Sequence, residues 1–338
     1  MKAAWQLSIQ TGSEARERVE LADECNFDTV ILPDPTPETV AFAADRGIEV
    51  VAIVGAYPSE SFREAHPDAL QRLHPVEEGI RDLLEEHGAD EYRRLSHRQY
   101  PVVHGHSAYC FEHPASMEAL EDRVAAALEV ADGVAFDGFG FRNGYACFCE
   151  RCRERRERVA REPGRGDGEV GSGDGGEERG DTEEGHRRGD DPALLARLSE
   201  RTLVETTARL YEHAKSVDPD ALVTNHVWPP FRPDPYYAHR LRLDYCSQTI
   251  AWFYGPNWRA ERVEFEAATH ARLATSDTSE FAPFIGMRAD PELRRSPERL
   301  DRELEIAARY GGGDLVFATL EPLAADPDLR AVVRDALA

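Results

Sequence analysis

Residues 133–156 read GVAFDGFGFRNGYACFCERCRERR, and they place a strand, a loop and the start of a helix in one segment. The apolar run at 133–141 is typical of a buried strand, interrupted at Asp137 and Gly138, a pair that favours a turn. Three cysteines follow, and an arginine-rich run then predicts a solvated helix. A strand followed by a loop and a helix is the repeating unit of α/β folds.

The same alternation extends in both directions from this segment. Helical patterns separate the runs, with Thr36 as a predicted N-cap before Pro37 and with Gly47 closing that helix. Pro283 weakens the seventh run as a strand. The eight β runs are residues 3–9, 29–32, 50–54, 133–141, 221–226, 243–251, 281–287 and 311–320. The helical runs are residues 13–25, 77–99, 117–131, 192–216, 258–274 and 297–310.

Eight short strands alternating with helices predict an α/β protein, a (β/α)8 TIM barrel spanning residues 1–338. A doubly wound open sheet is the alternative, but it usually carries a Gly-rich fingerprint after its first strand, and QLSIQTGSEA has none. Residues 164–190 contain ten glycines and a single aliphatic residue, Val170. This segment cannot bury enough surface to offset its ordering entropy, so we expect a disordered, acidic, Gly-rich insertion.

The composition is strongly acidic, with 64 Asp and Glu against 40 Lys and Arg and a net charge of −24. Lys2 and Lys215 are the only lysines. This balance predicts adaptation to concentrated salt, where charge repulsion is screened, and it argues against a nucleic-acid partner. No apolar run is long enough to cross a membrane, and the N-terminal segment has no signal-peptide pattern, so we expect a cytoplasmic protein with reduced thiols.

In a TIM barrel, chemistry occurs at the C-terminal ends of the strands. This rule selects Asp137 after the fourth run and Glu321 after the eighth as candidate catalytic carboxylates. The candidate substrate-binding residues are Asn225, His226, Trp228, Trp252, Tyr254 and Arg288. Aromatic side chains here would suit a sugar, since a pyranose ring presents an apolar face.

Cys147, Cys149 and Cys152 form a C-x-C-x-x-C motif, and four thiolates in a tetrahedron make a structural zinc site. Cys110 is the favoured fourth ligand, with His104, His106 and His113 as alternatives. Free thiols, or a redox pair of Cys149 and Cys152, are the competing interpretations. Cys25 and Cys246 read as buried small hydrophobic residues.

These motifs resemble family 42 glycoside hydrolases, the β-galactosidases, and related hypothetical glycosyl hydrolase groups. In that family a barrel holds zinc with one cysteine before strand four and a C-x-C-x-x-C just after it, which match Cys110 and the motif above. The resemblance covers residues 100–230 well. The family's acid is a Glu preceded by Asn after strand four, where this chain has Asp137. Its nucleophile is a Glu on strand seven, where FAPFIGMR has none; Glu280 starts that run, and Glu321 is the nearest alternative.

The resemblance implies a glycoside-hydrolase-like barrel with a structural zinc near the mouth, acting on or binding a carbohydrate through Asp137 and Glu321. The absent strand-seven Glu favours a second hypothesis, an inactive barrel that binds a sugar or a protein partner. The third hypothesis is an enzyme that holds a catalytic metal ion with His104, His106 and His226.

Overall fold

Eight parallel strands close into a barrel in the computed structural model, which describes residues 1–6, 11–74, 77–78, 107–161, 191–227, 237–252, 259–274, 279–288 and 295–338. The strands are β1 (Lys2–Trp5), β2 (Thr29–Leu32), β3 (Glu49–Gly55), β4 (Gly133–Asp137), β5 (Leu222–Val227), β6 (Tyr245–Ala251), β7 (Glu280–Gly286) and β8 (Leu315–Ala318). The predicted (β/α)8 barrel is therefore confirmed.

Each strand pairs in parallel with the next, and β8 pairs with β1 to close the ring. The closing register sets Lys2 opposite Leu315 and Trp5 opposite Ala318. All strands therefore end at the same face, and this face is called the mouth below. Between β6 and β7 the register shifts between Thr249 and Ala251.

Helices occupy the segments between the strands, because parallel neighbours need a crossover connection. They are α1 (Gly12–Glu24), α2 (Pro37–Ala44), α3 (Glu60–Ala65), α4 (Pro114–Leu128), α5 (Glu150–Arg161), α6 (Pro192–Val217), α7 (Ala260–Leu273), α8 (Pro297–Gly311), α9 (Glu321–Ala325) and α10 (Pro327–Leu337). Short 3₁₀ turns form at Pro67–Ala69 and Tyr237–Arg240.

The helix starts follow the signals in the sequence. Thr36 accepts a hydrogen bond from the backbone N of Thr39, as expected of an N-cap before Pro37. The helix ends three residues before Gly47, whose φ of 71° is the left-handed conformation that glycine tolerates. Of the predicted helix at 77–99, all but Glu77 and Glu78 lies outside the described residues, as does the predicted insertion at 164–190.

Alternation along the strands separates an inner core from an outer one. The barrel interior is lined mostly by small and β-branched residues, with a few large rings: Ala3, Trp5, Ile31, Val51, Ala135, Ala282, Phe284, Val316 and Ala318. The apolar residues that alternate with these pack outward against the helices in two larger apolar clusters.

β7 runs through Pro283 despite the weak signal there. Pro283 faces outward, and α8 approaches it so closely that a Cβ on Gly311 would lie 2.6 Å from the proline Cδ. The ring of Pro283 thus packs into space that is open only because residue 311 of α8 is a glycine.

Within the described part of the chain, no helix combines the length and the apolar character that crossing a bilayer requires.

Candidate functional site: a cysteine cluster and the barrel mouth

Four buried cysteines meet beside the C-terminal end of β4. Cys110 comes from the segment before α4, Cys147 and Cys149 from the loop after β4, and Cys152 from the first turn of α5. Their sulfur atoms all lie within 4.8 Å of one another. The sequence motif and Cys110 are therefore brought together as predicted.

The distances between these sulfurs suit a tetrahedral metal ion. The Cys110 Sγ lies 3.6 Å from the Sγ atoms of Cys149 and Cys152 and 3.9 Å from that of Cys147. Four ligands at the Zn–S distance of about 2.3 Å on a tetrahedron stand about 3.8 Å apart. A disulfide is excluded, because its sulfurs are bonded at about 2.0 Å. The donor set and its spacing fit zinc.

Without a metal ion, the four clustered cysteines influence each other's pKa in opposite directions. The hydrogen bond with Cys110 lowers the pKa of Cys149, while the contact with Cys147 raises the pKa of Cys110. A shared cation resolves this conflict, because every sulfur can then be a thiolate. The other two cysteines differ: Cys25 and Cys246 lie in the outer core, and burial raises the pKa of Cys25 to about 11.

One glutamine fastens the Cys110 segment to the β4 loop. The Nε2 of Gln71 donates to the carbonyls of Tyr109 at 3.0 Å and Gly140 at 2.9 Å, and its Oε1 accepts from the backbone N of Arg142 at 3.0 Å. The Gln71 residue is 2 % exposed, so these bonds form away from water.

His113, an alternative fourth ligand in the sequence, has a different role. It is the N-cap of α4, where its Nδ1 accepts from the backbone N of Ala115, and its Nε2 lies 3.4 Å from Asp68. The other two alternatives, His104 and His106, lie outside the described residues.

Asp137 and His226 form the second site, inside the mouth. Asp137 is the last residue of β4, and its Oδ1 lies 3.7 Å from the Nδ1 of His226 on β5. The Asp137 side chain is 29 % exposed and the His226 side chain 3 %. The carboxylate therefore faces the opening, with the imidazole behind it.

Aromatic rings enclose the imidazole. The His226 ring stacks on Phe284 with centroids 3.8 Å apart and on Trp252 with centroids 5.1 Å apart, and it meets Trp5 edge-on at 5.7 Å. Its Nε2 lies 3.1 Å from the hydroxyl of Thr249. Among the described residues, buried aromatic rings thus form the floor of the mouth, and the Asp137 carboxylate lies at its edge.

The remaining predicted site residues take different positions. Asn225 precedes His226 on β5, so the two side chains point to opposite faces of the sheet. The Oδ1 of Asn225 accepts a hydrogen bond from the backbone N of Ser247, so its side chain lies against β6. Glu321 begins α9, and its Oε1 lies 3.9 Å from the Nη2 of Arg18 on α1. Arg288 is exposed two residues beyond β7. Trp228 and Tyr254 lie outside the described residues.

Sequence reasoning missed Thr249, Trp5 and Phe284, which contact His226 directly. Each lies inside a predicted strand, where a side chain faces either the barrel interior or the helices. The available signal was the alternation itself: once one interior residue of a strand is known, every second residue along it is a candidate.

No protein-family model matches the chain, and no curated protein matches its sequence. Solved structures do match. A polyextremophilic β-galactosidase from the Antarctic haloarchaeon Halorubrum lacusprofundi aligns at a TM-score of 0.64 and 13 % identity, covering 100 % of this chain and 57 % of that one. A catalytic mutant of a GH42 β-galactosidase from G. stearothermophilus aligns at 0.63 and 11 % identity, covering 99 % and 56 %.

The catalytic domain of a β-amylase from Paenibacillus polymyxa is also similar, with a TM-score of 0.56 and 8 % identity over 100 % of this chain and 97 % of that one. These similar structures are glycoside hydrolases with the same barrel architecture. At such identities the likeness shows the fold alone. The chain spans little more than half the length of the β-galactosidases it matches.

Proposed function

We propose that this protein is a glycoside-hydrolase-like barrel that binds a carbohydrate at its mouth and acts on it through Asp137, with a structural zinc on the four cysteines. The observation that carries the proposal is Asp137 itself. It is a partly exposed carboxylate at the end of β4, next to a buried histidine that is packed among aromatic rings.

The chemistry of a glycosidic bond supports this assignment. Hydrolysis needs carboxylates beside the bond, and the transition state carries positive charge on the sugar ring. A partly exposed carboxylate beside these rings can face that charge. Trp252, which is largely buried against His226, remains a candidate contact for the apolar face of the sugar ring. In this proposal Glu321 remains the second carboxylate, and Asn225, Trp228, Tyr254 and Arg288 remain candidate substrate contacts.

The zinc would be held by Cys110, Cys147, Cys149 and Cys152. Four sulfur ligands fill a tetrahedron and leave no position for a water or a substrate, which is the pattern of a structural site. Its contribution would be to fix the loop that follows Asp137. The loop residue Phe139 stacks on Phe111, the neighbour of Cys110, with ring centroids 5.5 Å apart.

A barrel that binds a carbohydrate without cleaving it is the second candidate. It is favoured by the contacts of the two predicted catalytic carboxylates, since Asp137 faces a histidine and Glu321 lies near Arg18. The metal-dependent alternative with His104, His106 and His226 is less favoured. Both ring nitrogens of His226 already have contacts, one with Asp137 and one with Thr249.

The test is a panel of aryl glycosides, with turnover and binding measured for the wild-type protein and for Asp137→Asn. We expect the variant to lose a factor of about 10² to 10⁴ in turnover, because it removes a carboxylate that acts directly. Asp335→Asn, at an exposed carboxylate near the end of α10, is the matched control and should retain full activity. Binding without turnover supports the second candidate. If no sugar in the panel is bound or turned over, the proposal is contradicted.

A further inference from the structure

Two neighbouring arginines on α5, Arg155 and Arg156, differ in how their charges are balanced. Arg155 forms ion pairs with Glu112, next to Cys110, and with Glu205 on α6. Arg156 forms no ion pair in the described part of the chain, although the residue is only 5 % exposed. Burying a cation without an opposite charge is costly, so Arg156 needs a negative partner from another source.

Arg156 contacts the loop that carries the cysteines. Its Nη1 donates a hydrogen bond to the carbonyl of Cys147 at 2.6 Å, and its guanidinium carbon lies 4.9 Å from the ring centroid of Phe148. Its buried Nε has no hydrogen-bond partner among the residues that the structure describes. The guanidinium is therefore held against the cysteine loop by a backbone carbonyl and an aromatic ring, neither of which carries a negative charge.

The surroundings of this guanidinium offer one source for the missing charge. A small cavity between α5 and α6 is lined by Arg156 together with Cys147 and Cys152. Glu112 and Arg155 are the other charged residues on its described walls, and they form an ion pair with each other. The cysteine sulfurs are the remaining groups on these walls that can carry a negative charge.

The backbone around the cluster favours negative sulfurs as well. α5 begins at Glu150, between Cys149 and Cys152, so the end of the helix that carries a partial positive charge lies at the cluster. The backbone N–H of Cys149 donates to the Sγ of Cys147, with 3.5 Å between the two atoms. A hydrogen bond of this kind stabilises a thiolate relative to a thiol. The helix end, the N–H and the guanidinium thus act in the same direction.

We propose that Arg156 is the counter-ion of the metal-loaded cysteine cluster. Four thiolates around one Zn²⁺ ion leave two negative charges, and one buried guanidinium together with the end of α5 balances part of them. Without the ion, the cluster does not supply this charge, and Arg156 is left as a buried cation with no opposite charge. This role rests on the proposed zinc site. It makes Arg156 a residue that favours the loaded form of the protein over the empty one.

The experiment measures the zinc affinity of the full-length protein by competition with a chelator of known affinity. Arg156→Met removes the charge and keeps an unbranched side chain, so it should weaken zinc binding by a factor of about 10 to 100. Arg156→Lys keeps the charge and should retain most of the affinity. Arg155→Met is the matched control on the same helix: it removes a charge that carboxylates already balance, so zinc affinity should stay near the wild-type value.

Thermal unfolding of the zinc-loaded and the chelator-treated protein separates charge balance from packing. Arg156→Met should destabilise the loaded form, whereas the metal-free form should be at least as stable as the metal-free wild-type protein, because an unpaired buried charge is gone. A side chain that matters only for packing would destabilise both forms, and that result overturns the proposal.

The zinc measurements also distinguish this role from the zinc site on which it rests. Wild-type affinity in Arg156→Met overturns the role of Arg156 alone, as does an equal loss of affinity in Arg156→Lys. If the wild-type protein binds no zinc, the zinc site and the role of Arg156 are both contradicted. Neither measurement needs a sugar, so the outcome is independent of the carbohydrate assay.

Discussion

The cysteine cluster and the barrel mouth lie at the same end of β4, but they are built in different ways. The cluster is a closed set of four identical atoms from one stretch of chain and a nearby loop, and each sulfur serves the same purpose. The mouth combines an acid, an imidazole, a hydroxyl and three aromatic rings from five different strands or strand ends. A site of the first kind stabilises a loop, whereas a site of the second kind can carry out asymmetric chemistry.

The sharpest way to test this division is to break the cluster. Cys149→Ser should abolish tight zinc binding and lower the free energy of unfolding by more than about 4 kcal/mol, because loss of a structural metal removes binding energy that folding includes. The measurements are metal analysis of the purified protein and its thermal unfolding. Cys25→Ser, at a buried thiol outside the cluster, should keep the metal. Unchanged zinc content in Cys149→Ser, or no zinc in the wild-type protein, contradicts the assignment.

A smaller effect is expected at Gln71, which joins the Cys110 segment to the loop after β4. Gln71→Met should cost about 2 to 4 kcal/mol of stability, because it leaves the buried carbonyls of Tyr109 and Gly140 and the N–H of Arg142 without their partner. Zinc should be retained. The readout is denaturant unfolding with metal analysis of the same samples.

Gln248→Met is the matched control for that experiment. Gln248 is also buried, but its Oε1 has no hydrogen-bond partner in the part of the chain that the structure describes. Gln248→Met should therefore lower the free energy of unfolding by less than half as much as Gln71→Met. Equal losses of stability at the two glutamines would mean that the three hydrogen bonds of Gln71 add no net stability.

The smallest effect is expected outside both regions, at the ion pair of Glu121 on α4 and Arg209 on α6. The bidentate hydrogen bond from Arg209 lowers the pKa of Glu121. The stabilisation by this ion pair is therefore present at pH values above the unfolded-state pKa of Glu121, near 4.5. It is lost as the pH falls through the lower pKa of Glu121 in the folded state. Since Arg209 is half exposed, Glu121→Gln should cost less than about 1 kcal/mol at neutral pH.

The contribution of that ion pair to stability is measured by thermal unfolding at neutral and acidic pH, in low and high salt. The difference between Glu121→Gln and the wild-type protein should vanish in acid and shrink in concentrated salt. A large, salt-independent loss of stability in Glu121→Gln would mean that contacts between the helices, rather than the buried cluster, contribute much of the stability. Adaptation to concentrated salt, which the composition predicts, can be tested on the wild-type protein in the same series.

The sequence located the strands to within a few residues, because hydrophobic periodicity is a local signal, whereas the helices α3 and α10 were not predicted. The eight strands were all located, and Pro192 and Pro297 begin helices where expected. The cysteine cluster was equally predictable, since three of its members share one motif. Pro283 was the weak point of the strand prediction, and its accommodation depends on the distant Gly311.

The mouth could be predicted only in part. Asp137, His226 and Trp252 were chosen singly, as residues at strand ends, but their mutual contacts depend on strand register. With strict alternation after Thr249, Trp252 would face the helices; the register shift between Thr249 and Ala251 turns it toward His226 instead. An irregularity of one residue leaves no mark in a hydrophobic pattern.

Gly138, directly after Asp137, limits how this mouth can be re-engineered. Its φ of 69° is unfavourable for other residues, and a Cβ there would lie 2.9 Å from the ring of Tyr57. A directed-evolution library that samples position 138 will therefore return mostly destabilised clones. Any attempt to install a longer acid at this strand end has to replace Asp137 itself, so the reach of the carboxylate and its contact with His226 can only be changed together.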